Sequence, residues 1–240
     1  MRKLGILLSL AMIWVFSVPA TAAARTPEES LRQNFPHVKF EKMNPTPIKG
    51  IYEVVLKNGI LYYAPESQSI ISGEIYMKNG RNVTREKLDE MDKKRLTTIK
   101  ERQKEIPLEK GLKIGTGTHT VIEFSNPDCS YCRQAAKYLA GRTDMTRYVF
   151  FLPFSPQAGR KVKQILCAAD RVKAYEEVMT GNPDNKQPDV CSSKDVDELA
   201  ALHKTLAQSL GINATPFFFI DGQVVQGADI PAIEKLIGKK

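Results

Sequence analysis

Two cysteines, Cys129 and Cys132, stand three positions apart in the segment Cys-Ser-Tyr-Cys, shortly after the run Val-Ile-Glu-Phe. A pair at this spacing between a strand and a helix is typical of thiol–disulfide exchange. The first sulfur lies at the helix N-terminus, where unpaired N–H groups and the helix dipole favour the nucleophilic thiolate. The second lies one turn further on, close enough to form a disulfide with the first. The pattern predicts Cys129 as the attacking cysteine and Cys132 as the resolving one.

A zinc site and an inert disulfide are the alternatives for this pair. Zinc would need two further ligands in a comparable pair. The other two cysteines, Cys167 and Cys191, are far apart in sequence. The three histidines, His37, His119 and His203, are isolated from one another. The sequence therefore favours redox chemistry and predicts neither a metal nor a diffusible cofactor.

Cys167 lies in an apolar helical stretch, and Cys191 follows a polar loop. Pairing with each other is the simplest arrangement in an oxidising compartment, because an even number of cysteines is otherwise left unpaired. Two free buried thiols are the alternative. We expect a structural disulfide between Cys167 and Cys191.

Two further positions bear on the dithiol. Glu123 lies six residues before Cys129 on the preceding strand, and strand alternation makes it either an exposed residue or a buried carboxylate. A buried carboxylate could carry the proton that Cys132 must lose before it attacks. Thr215-Pro216 opens a later apolar strand, where the proline is either cis, with neighbours that pair with an extended peptide, or an ordinary trans turn residue.

Residues 1–24 have a basic start, an apolar run over Leu4–Val18 and small residues at cleavage-site spacing. This pattern predicts a secretory signal peptide cleaved after Ala22 or Ala24, and the apolar run is shorter than a membrane span needs. An uncleaved anchor is the alternative. Export places the mature protein where disulfides can form.

The mature chain has three segments that differ in their pattern of apolar and charged residues. Residues 25–83 alternate apolar and polar positions, with strands expected over Val38–Met43 and Ile70–Met77 and a hairpin at Asn58-Gly59. A unit of this size has a thin core, so pairing with a second copy would stabilise it.

Residues 84–110 are highly charged, with one narrow apolar stripe, which predicts a solvated linker helix. A surface helix lying on a core is the alternative.

Residues 111–240 are predicted to alternate strand, helix and strand, followed by a helical region, a hairpin and a closing helix. That order indicates an α/β fold with a central sheet covered by helices.

The chain has 35 basic and 27 acidic residues and a net charge of +8. The two signs are interspersed, so the excess does not predict a nucleic-acid partner.

The chain resembles the periplasmic protein-disulfide isomerases of the DsbC/DsbG type over essentially its whole mature length. The matching segments are I-K-G-I-Y-E-V-V-L-K-N-G-I-L-Y-Y, F-S-N-P-D-C-S-Y-C, a second cysteine pair in a helical insertion, and G-I-N-A-T-P-F-F-F-I-D-G. The resemblance implies a thioredoxin fold with a helical insertion at 111–240. It implies a small α+β dimerisation domain at 25–83 and a linker helix at 84–110, in a V-shaped homodimer around a peptide-binding cleft.

The resemblance also implies a function and its partners. Family members reshuffle wrong disulfides in misfolded exported proteins, and a membrane thiol–disulfide electron donor keeps them reduced. It implies that Thr215-Pro216 is the cis-proline loop facing Cys129. Together with Ser130 and Tyr131, this loop is predicted to contact the substrate.

The chain departs from the family at two positions. Ser130 stands where isomerases often have glycine, and Glu123 is more like the buried acid of the oxidase and thioredoxin branches. These departures leave the redox direction open. The rival functions are a thiol reductase or oxidase with a narrow client, and a dimeric holdase chaperone.

Overall fold

The computed structural model describes residues 25–181 and 190–239 of the 240-residue chain. The chain divides into two compact units, with the boundary between Leu88 and Asp89. The predicted signal peptide, residues 1–24, lies outside the described residues. Within the described ranges, no helix combines the length and the apolar character needed to cross a membrane.

Residues 25–82 of the first unit form one helix and a four-stranded antiparallel sheet whose strands follow chain order. Thr26 caps the helix: its hydroxyl accepts a hydrogen bond from the Glu29 N–H, and the Glu29 carboxylate accepts one from the Thr26 N–H. These bonds satisfy N–H groups that a helix start otherwise leaves unpaired. The elements are α1 (Pro27–Asn34), β1 (Lys42–Pro45), β2 (Tyr52–Leu56), β3 (Gly59–Ala64) and β4 (Ser69–Ile71).

A hairpin joins β2 to β3 as expected, but its two-residue turn is Lys57-Asn58, one position before the predicted Asn58-Gly59, because Gly59 is already in β3 and pairs with Leu56. The two strands predicted on either side of it are wrong in their bounds. β1 begins only at Lys42, and β4 ends at Ile71, after which Tyr76 alone forms a bridge, with Asn82. Ser72 and Gly73 follow β4 directly, and glycine weakens a strand because it has no side chain to pack.

The core of the first unit is small. Leu31, Val54 and Tyr63 are fully buried, and the Tyr63 hydroxyl lies 2.7 Å from Ser30 Oγ of the helix. At the β4 edge of the sheet, Ile71 is 41% exposed, and Tyr76 further along the chain is 64% exposed. The unit therefore leaves apolar side chains next to an unpaired strand edge.

The charged segment forms α2 (Val83–Arg102), followed by 3₁₀ turns at Gln103–Glu105 and Leu108–Lys110. The expectation of a solvated linker is wrong for the second half of this helix. Ile99 is 1% exposed and belongs to the same apolar cluster as Ile106 and Phe217 of the second unit. The alternative, a helix lying on a core, describes that half.

The second unit is built on a five-stranded mixed sheet in the order β5-β7-β6-β8-β9. The central pair, β6 and β7, is parallel, and the other pairs are antiparallel. The short edge strand β5 was not predicted from the sequence. The strands are β5 (Leu112–Ile114), β6 (His119–Ser125), β7 (Met145–Phe151), β8 (Phe217–Ile220) and β9 (Gln223–Gln226).

Helices cover both faces of this sheet. Ile122 and Phe124 of β6 pack in one cluster with Ala207 and Leu210, whereas Val121 packs in another with Leu139. Because successive strand residues point to opposite faces, Glu123 lies on the Val121 face. The helices are α3 (Ser130–Leu139), α4 (Pro156–Cys167), α5 (Arg171–Thr180), α6 (Lys194–Leu210) and α7 (Ile230–Ile237).

Three of these helices, α4, α5 and α6, form the insertion between β7 and β8. Cys167 at the end of α4 and Cys191 shortly before α6 form a disulfide with a Cα–Cα distance of 5.7 Å. This crosslink closes the part of the insertion that contains α5.

His203 ties α6 to the sheet. Its side chain is fully buried, its Nδ1 accepts a hydrogen bond from the Phe151 N–H at 3.2 Å, and its Nε2 lies 2.8 Å from the Lys110 carbonyl oxygen. The neutral imidazole with hydrogen on Nε2 satisfies both contacts. Burial lowers the pKa of His203 below its ordinary value, against the opposing effect of the Lys110 hydrogen bond.

We predict that His203 destabilises the protein in acid. Below about pH 6.5 the unfolded chain binds a proton at this histidine that the native state excludes, so stability falls as the pH falls. The effect amounts to at most about 1.4 kcal/mol per pH unit until the native group also titrates. Urea unfolding between pH 7 and pH 5 measures it. His203→Gln should show a shallower pH dependence than wild type, whereas the matched variant of exposed His37, His37→Gln, should not. Equal slopes for His203→Gln and wild type would contradict this assignment.

Candidate active site

Cys129 is the N-cap residue of α3 and is partly exposed. The loop after β6 is folded by the Cys129 N–H, which donates to the Asn126 carbonyl at 3.0 Å, and by the Asp128 N–H, which donates to Asn126 Oδ1 at 3.1 Å. This turn brings the thiol to the start of the helix, where unpaired N–H groups and the dipole stabilise a thiolate. The arrangement suits Cys129 for nucleophilic attack.

Cys132 lies one turn into α3 and has no exposed surface. The Asn126 N–H donates to its Sγ at 3.3 Å. Burial raises the pKa of Cys132 to about 12, and the nearby Cys129 and Glu123 add to the rise, against the opposing hydrogen bonds from Thr215 and Asn126. At neutral pH Cys132 is therefore a protonated thiol, a weak nucleophile. The two sulfurs of one motif lie in opposite environments.

The Thr215-Pro216 peptide bond is cis, and it faces Cys129. The Cys129 Sγ–H donates to the Thr215 carbonyl oxygen at 3.4 Å. The Pro216 carbonyl accepts from the Gly227 N–H, which holds this loop against the turn after β9. The structure thus brings together the Cys-Ser-Tyr-Cys segment and the Thr215 loop, which lie far apart in sequence.

The surface around Cys129 carries exposed aromatic side chains. Ser130 is exposed and Tyr131 is 63% exposed at the start of α3. Phe154, 59% exposed, follows β7, and its neighbour Ser155 donates through Oγ to Asp128 Oδ2 at 3.0 Å. That bond fixes the Phe154 loop to the residue that precedes Cys129.

Beneath the dithiol, Glu123 is fully buried and ion-paired with Arg147 of β7. Arg147 Nη2 donates to Glu123 Oε2 at 2.6 Å and to the Tyr175 hydroxyl at 2.8 Å. The Tyr175 hydroxyl in turn donates to Glu123 Oε1 at 3.4 Å. We call these three side chains the buried triad.

A second acid next to the dithiol also has a basic partner. Asp128 accepts a hydrogen bond from Lys161 Nζ at 2.8 Å, and the Lys161 side chain is only 4% exposed. Lys161 lies on α4, so this ion pair ties the active-site loop to the insertion. Each acid beside the motif is therefore neutralised within the fold.

Sequence reasoning missed Arg147, Tyr175, Lys161 and Phe154. Arg147 did carry a signal, because it alternates with the apolar residues Val149 and Phe151 on one face of β7, where a charge requires a buried partner. No comparable signal marks the others, since helices of the insertion or the fold of a loop bring them to the site. Within the described ranges, no cluster of three or more histidine, cysteine or acidic residues could hold a metal ion.

Comparison with known protein families covers both units. A Disulfide bond isomerase protein N-terminal domain matches residues 18–85, and a Thioredoxin-like domain matches residues 112–236. The second match spans more than half of the chain and includes both cysteines of the motif and the Thr215 loop.

Individual relatives extend this similarity to most of the chain. A probable thiol:disulfide interchange protein DsbC of Bordetella avium is 30% identical over 220 residues, 89% of this chain and 73% of the relative. The thiol:disulfide interchange protein DsbC of Dickeya dadantii is 26% identical over 96% of this chain and 92% of its own length. A linker-deletion variant of Proteus mirabilis ScsC matches in structure with a TM-score of 0.52 and 15% identity, over 64% of this chain and 89% of that one, and it shows the fold alone.

Proposed function

This chain belongs to the DsbC family of thiol:disulfide interchange proteins, and from that premise we propose that it is a periplasmic disulfide isomerase. Its substrates are exported proteins that have folded with wrong cysteine pairs. The reacting atoms are the sulfurs of Cys129 and Cys132, and the cycle uses neither a metal nor a diffusible cofactor.

The reaction is a series of thiol–disulfide exchanges. The Cys129 thiolate attacks one sulfur of a substrate disulfide, forms a mixed disulfide with it and releases the other substrate sulfur as a thiolate. That thiolate, or another of the substrate, attacks a further disulfide and finally the mixed disulfide, which frees Cys129. No electrons are gained or lost overall, so the substrate leaves with rearranged bonds.

Burial of Cys132 is the observation that carries this proposal. In the competing route, Cys132 loses its proton, attacks Cys129 Sγ and releases the substrate reduced, which leaves an oxidised enzyme. With a pKa of about 12, Cys132 is a thiolate in only a minute fraction of molecules at neutral pH. The mixed disulfide therefore persists long enough for the substrate to rearrange, which favours isomerisation over reduction.

The surface around Cys129 supports binding of an unfolded client. Thr215 and Pro216 offer backbone beside the thiol for an extended peptide, and Ser130 lies next to it. Tyr131 and Phe154 offer exposed aromatic faces, and such side chains bury large apolar areas at interfaces. Contacts of this kind are tolerant of sequence, as an enzyme acting on many misfolded chains requires.

We further propose that the first unit, including residues 25–83, makes the protein a homodimer. β4 is a three-residue edge strand with unpaired backbone groups, and Ile71 and Tyr76 are exposed beside it. Edge strands of this type pair readily with a second copy, and the thin core gains from the added burial. A dimer holds two catalytic units on one client and raises the local concentration of thiols.

The proposed compartment and electron source follow from the chemistry. The predicted signal peptide and the Cys167–Cys191 disulfide both suit the periplasm, an oxidising compartment. Each time Cys132 does resolve a mixed disulfide, the enzyme is left with a Cys129–Cys132 disulfide that must gain two electrons. We propose a membrane thiol–disulfide protein as the donor.

We predict that Cys132→Ser retains much of the isomerase activity, whereas Cys129→Ser has none. Rearrangement needs only the attacking thiol, and Cys132 serves as an escape route for stalled intermediates. Recovery of activity by a scrambled multi-disulfide substrate, with no added reductant, measures this. Cys132→Ser should also accumulate substrate mixed disulfides on non-reducing gels, and Cys129→Ser should accumulate none. If Cys132→Ser is as inactive as Cys129→Ser, the protein works by cycles of reduction and reoxidation, and a reductase is the better assignment.

We predict that Ile71→Lys weakens dimerisation, because it places a charge at the proposed strand interface. Sedimentation equilibrium should show a dissociation constant higher by at least about tenfold, which corresponds to about 1.4 kcal/mol. Refolding of a scrambled substrate should decline with it, while exchange with a small disulfide stays unchanged. Ile48→Lys is the matched control, since Ile48 is 43% exposed but lies outside β4. An unchanged dimer in Ile71→Lys, or equal weakening in both variants, would exclude the β4 edge as the interface.

A further inference from the structure

The buried triad contributes little net stability to the fold. Glu123, Arg147 and Tyr175 are each at most 4% exposed, and Arg147 Nε has no hydrogen-bond partner among the described residues. A buried ion pair adds little net stability, because desolvation offsets the attraction, and an unsatisfied donor adds a further penalty. An apolar trio of similar size would suit stability as well, so packing alone does not account for these three residues.

The triad also lies where its charge reaches the dithiol. Glu123 is on the strand that leads into the Cys-Ser-Tyr-Cys segment, and its charge is one of those that raise the pKa of Cys132. Cys132 and Tyr175 belong to the same buried cluster, together with Val149 and Phe151 of β7. The groups facing the Glu123 carboxylate are thus a guanidinium, a phenol and the buried thiol.

Both oxygens of the Glu123 carboxylate accept hydrogen bonds from the other two members of the triad. Arg147 Nη2 holds Oε2 at 2.6 Å, and the Tyr175 hydroxyl approaches Oε1 at 3.4 Å. Burial raises the pKa of Tyr175, so the phenol stays protonated and remains a donor. Desolvation works against the charge on Arg147, but Tyr175 and Glu123 outweigh it and its pKa is raised. A carboxylate held in this way is poorly placed to accept and release the Cys132 proton, the role that the sequence suggested for it.

We propose that Arg147 and Tyr175 are positioning residues that hold Glu123 as a neutralised ion pair, so that neither buried charge displaces the redox balance of the dithiol and Glu123 does not carry the Cys132 proton. The inference rests on the proposed function in taking Cys129 and Cys132 as the reacting pair. It assigns a role to the insertion, because Tyr175 lies on α5, the helix enclosed by the Cys167–Cys191 crosslink.

The proposal predicts in which direction each substitution shifts the equilibrium between the dithiol and the disulfide. Reduction of the Cys129–Cys132 disulfide takes up two electrons and, where Cys129 is left as the thiolate that attacks a substrate and Cys132 as a thiol, one proton. A nearby unopposed positive charge stabilises that thiolate and favours the reduced form, and an unopposed negative charge favours the disulfide. Glu123→Gln leaves Arg147 unopposed, and Arg147→Gln leaves Glu123 unopposed. The two single variants should therefore shift the equilibrium in opposite directions.

The test is a double-mutant cycle on the full-length mature protein. The equilibrium constant for exchange with the reduced and oxidised glutathione couple is measured for wild type, Glu123→Gln, Arg147→Gln and the double variant. We expect Glu123→Gln to favour the reduced dithiol and Arg147→Gln the disulfide, each by on the order of tenfold, with the double variant close to wild type. Circular dichroism confirms that each variant is folded.

Two conservative variants keep the test decisive if Arg147→Gln does not fold. Arg147→Lys retains the charge, so its equilibrium constant should stay within about threefold of wild type. Tyr175→Phe removes only the hydroxyl, which frees Glu123 Oε1 and should favour the disulfide, by less than Arg147→Gln does. Shifts of Glu123→Gln and Arg147→Gln in the same direction, or a double variant as displaced as Glu123→Gln, would overturn the proposal. In the absence of a foldable Arg147→Gln, a shift of Arg147→Lys as large as that of Glu123→Gln would do so.

The measurement uses glutathione and no protein substrate, so its outcome is independent of isomerase activity. A wild-type protein that exchanges with glutathione but does not refold scrambled substrates would refute the proposed function. The cycle would still decide whether Arg147 offsets the charge of Glu123 at the dithiol.

Discussion

The chemistry of this protein depends on the exclusion of water from one of two sulfurs. Cys129 and Cys132 are three positions apart, yet the first caps α3 at the surface and the second has no exposed area. Removing a thiol from water disfavours its anion, and the pKa of Cys132 rises to about 12. Helix α3 thus places Cys129 at its partly exposed N-terminus and Cys132 one turn further on, where burial keeps the thiol protonated. An enzyme that must keep a substrate attached while its bonds rearrange needs this inequality.

Two carboxylates lie next to the motif, and each is paired with a base: Glu123 with Arg147 and Asp128 with Lys161. Lys161 and Tyr175 come from α4 and α5, so the helical insertion both covers the sheet and supplies groups to the active site. The Cys167–Cys191 crosslink joins the end of α4 to the segment that precedes α6.

The sequence was enough to identify the attacking and resolving cysteines as candidates, because strand-to-helix context gives their spacing a mechanical meaning. It also anticipated a hairpin between β2 and β3, although the turn falls on Lys57-Asn58 and neither Asn58 nor Gly59 adopts the positive φ on which that prediction was based. It did not reveal that Ile99 is buried, because a narrow apolar stripe on a charged helix fits a linker and a docked helix equally. Nor could it choose between an exposed and a buried Glu123. That choice depends on Arg147 and Tyr175, which pair with Glu123 only when β7 and α5 pack beside β6.

The central claim is that the buried Cys132 resolves mixed disulfides slowly because it must first lose a proton. The most direct test is to form a mixed disulfide between Cys129 and a fluorescent peptide in acid, jump the pH and follow release of the peptide. The account predicts a rate that rises about tenfold per pH unit from about pH 6 to about pH 9 without levelling off. A rate that reaches a plateau below about pH 8 would show that Cys132 ionises readily or hands its proton to a nearby base, and would contradict the account.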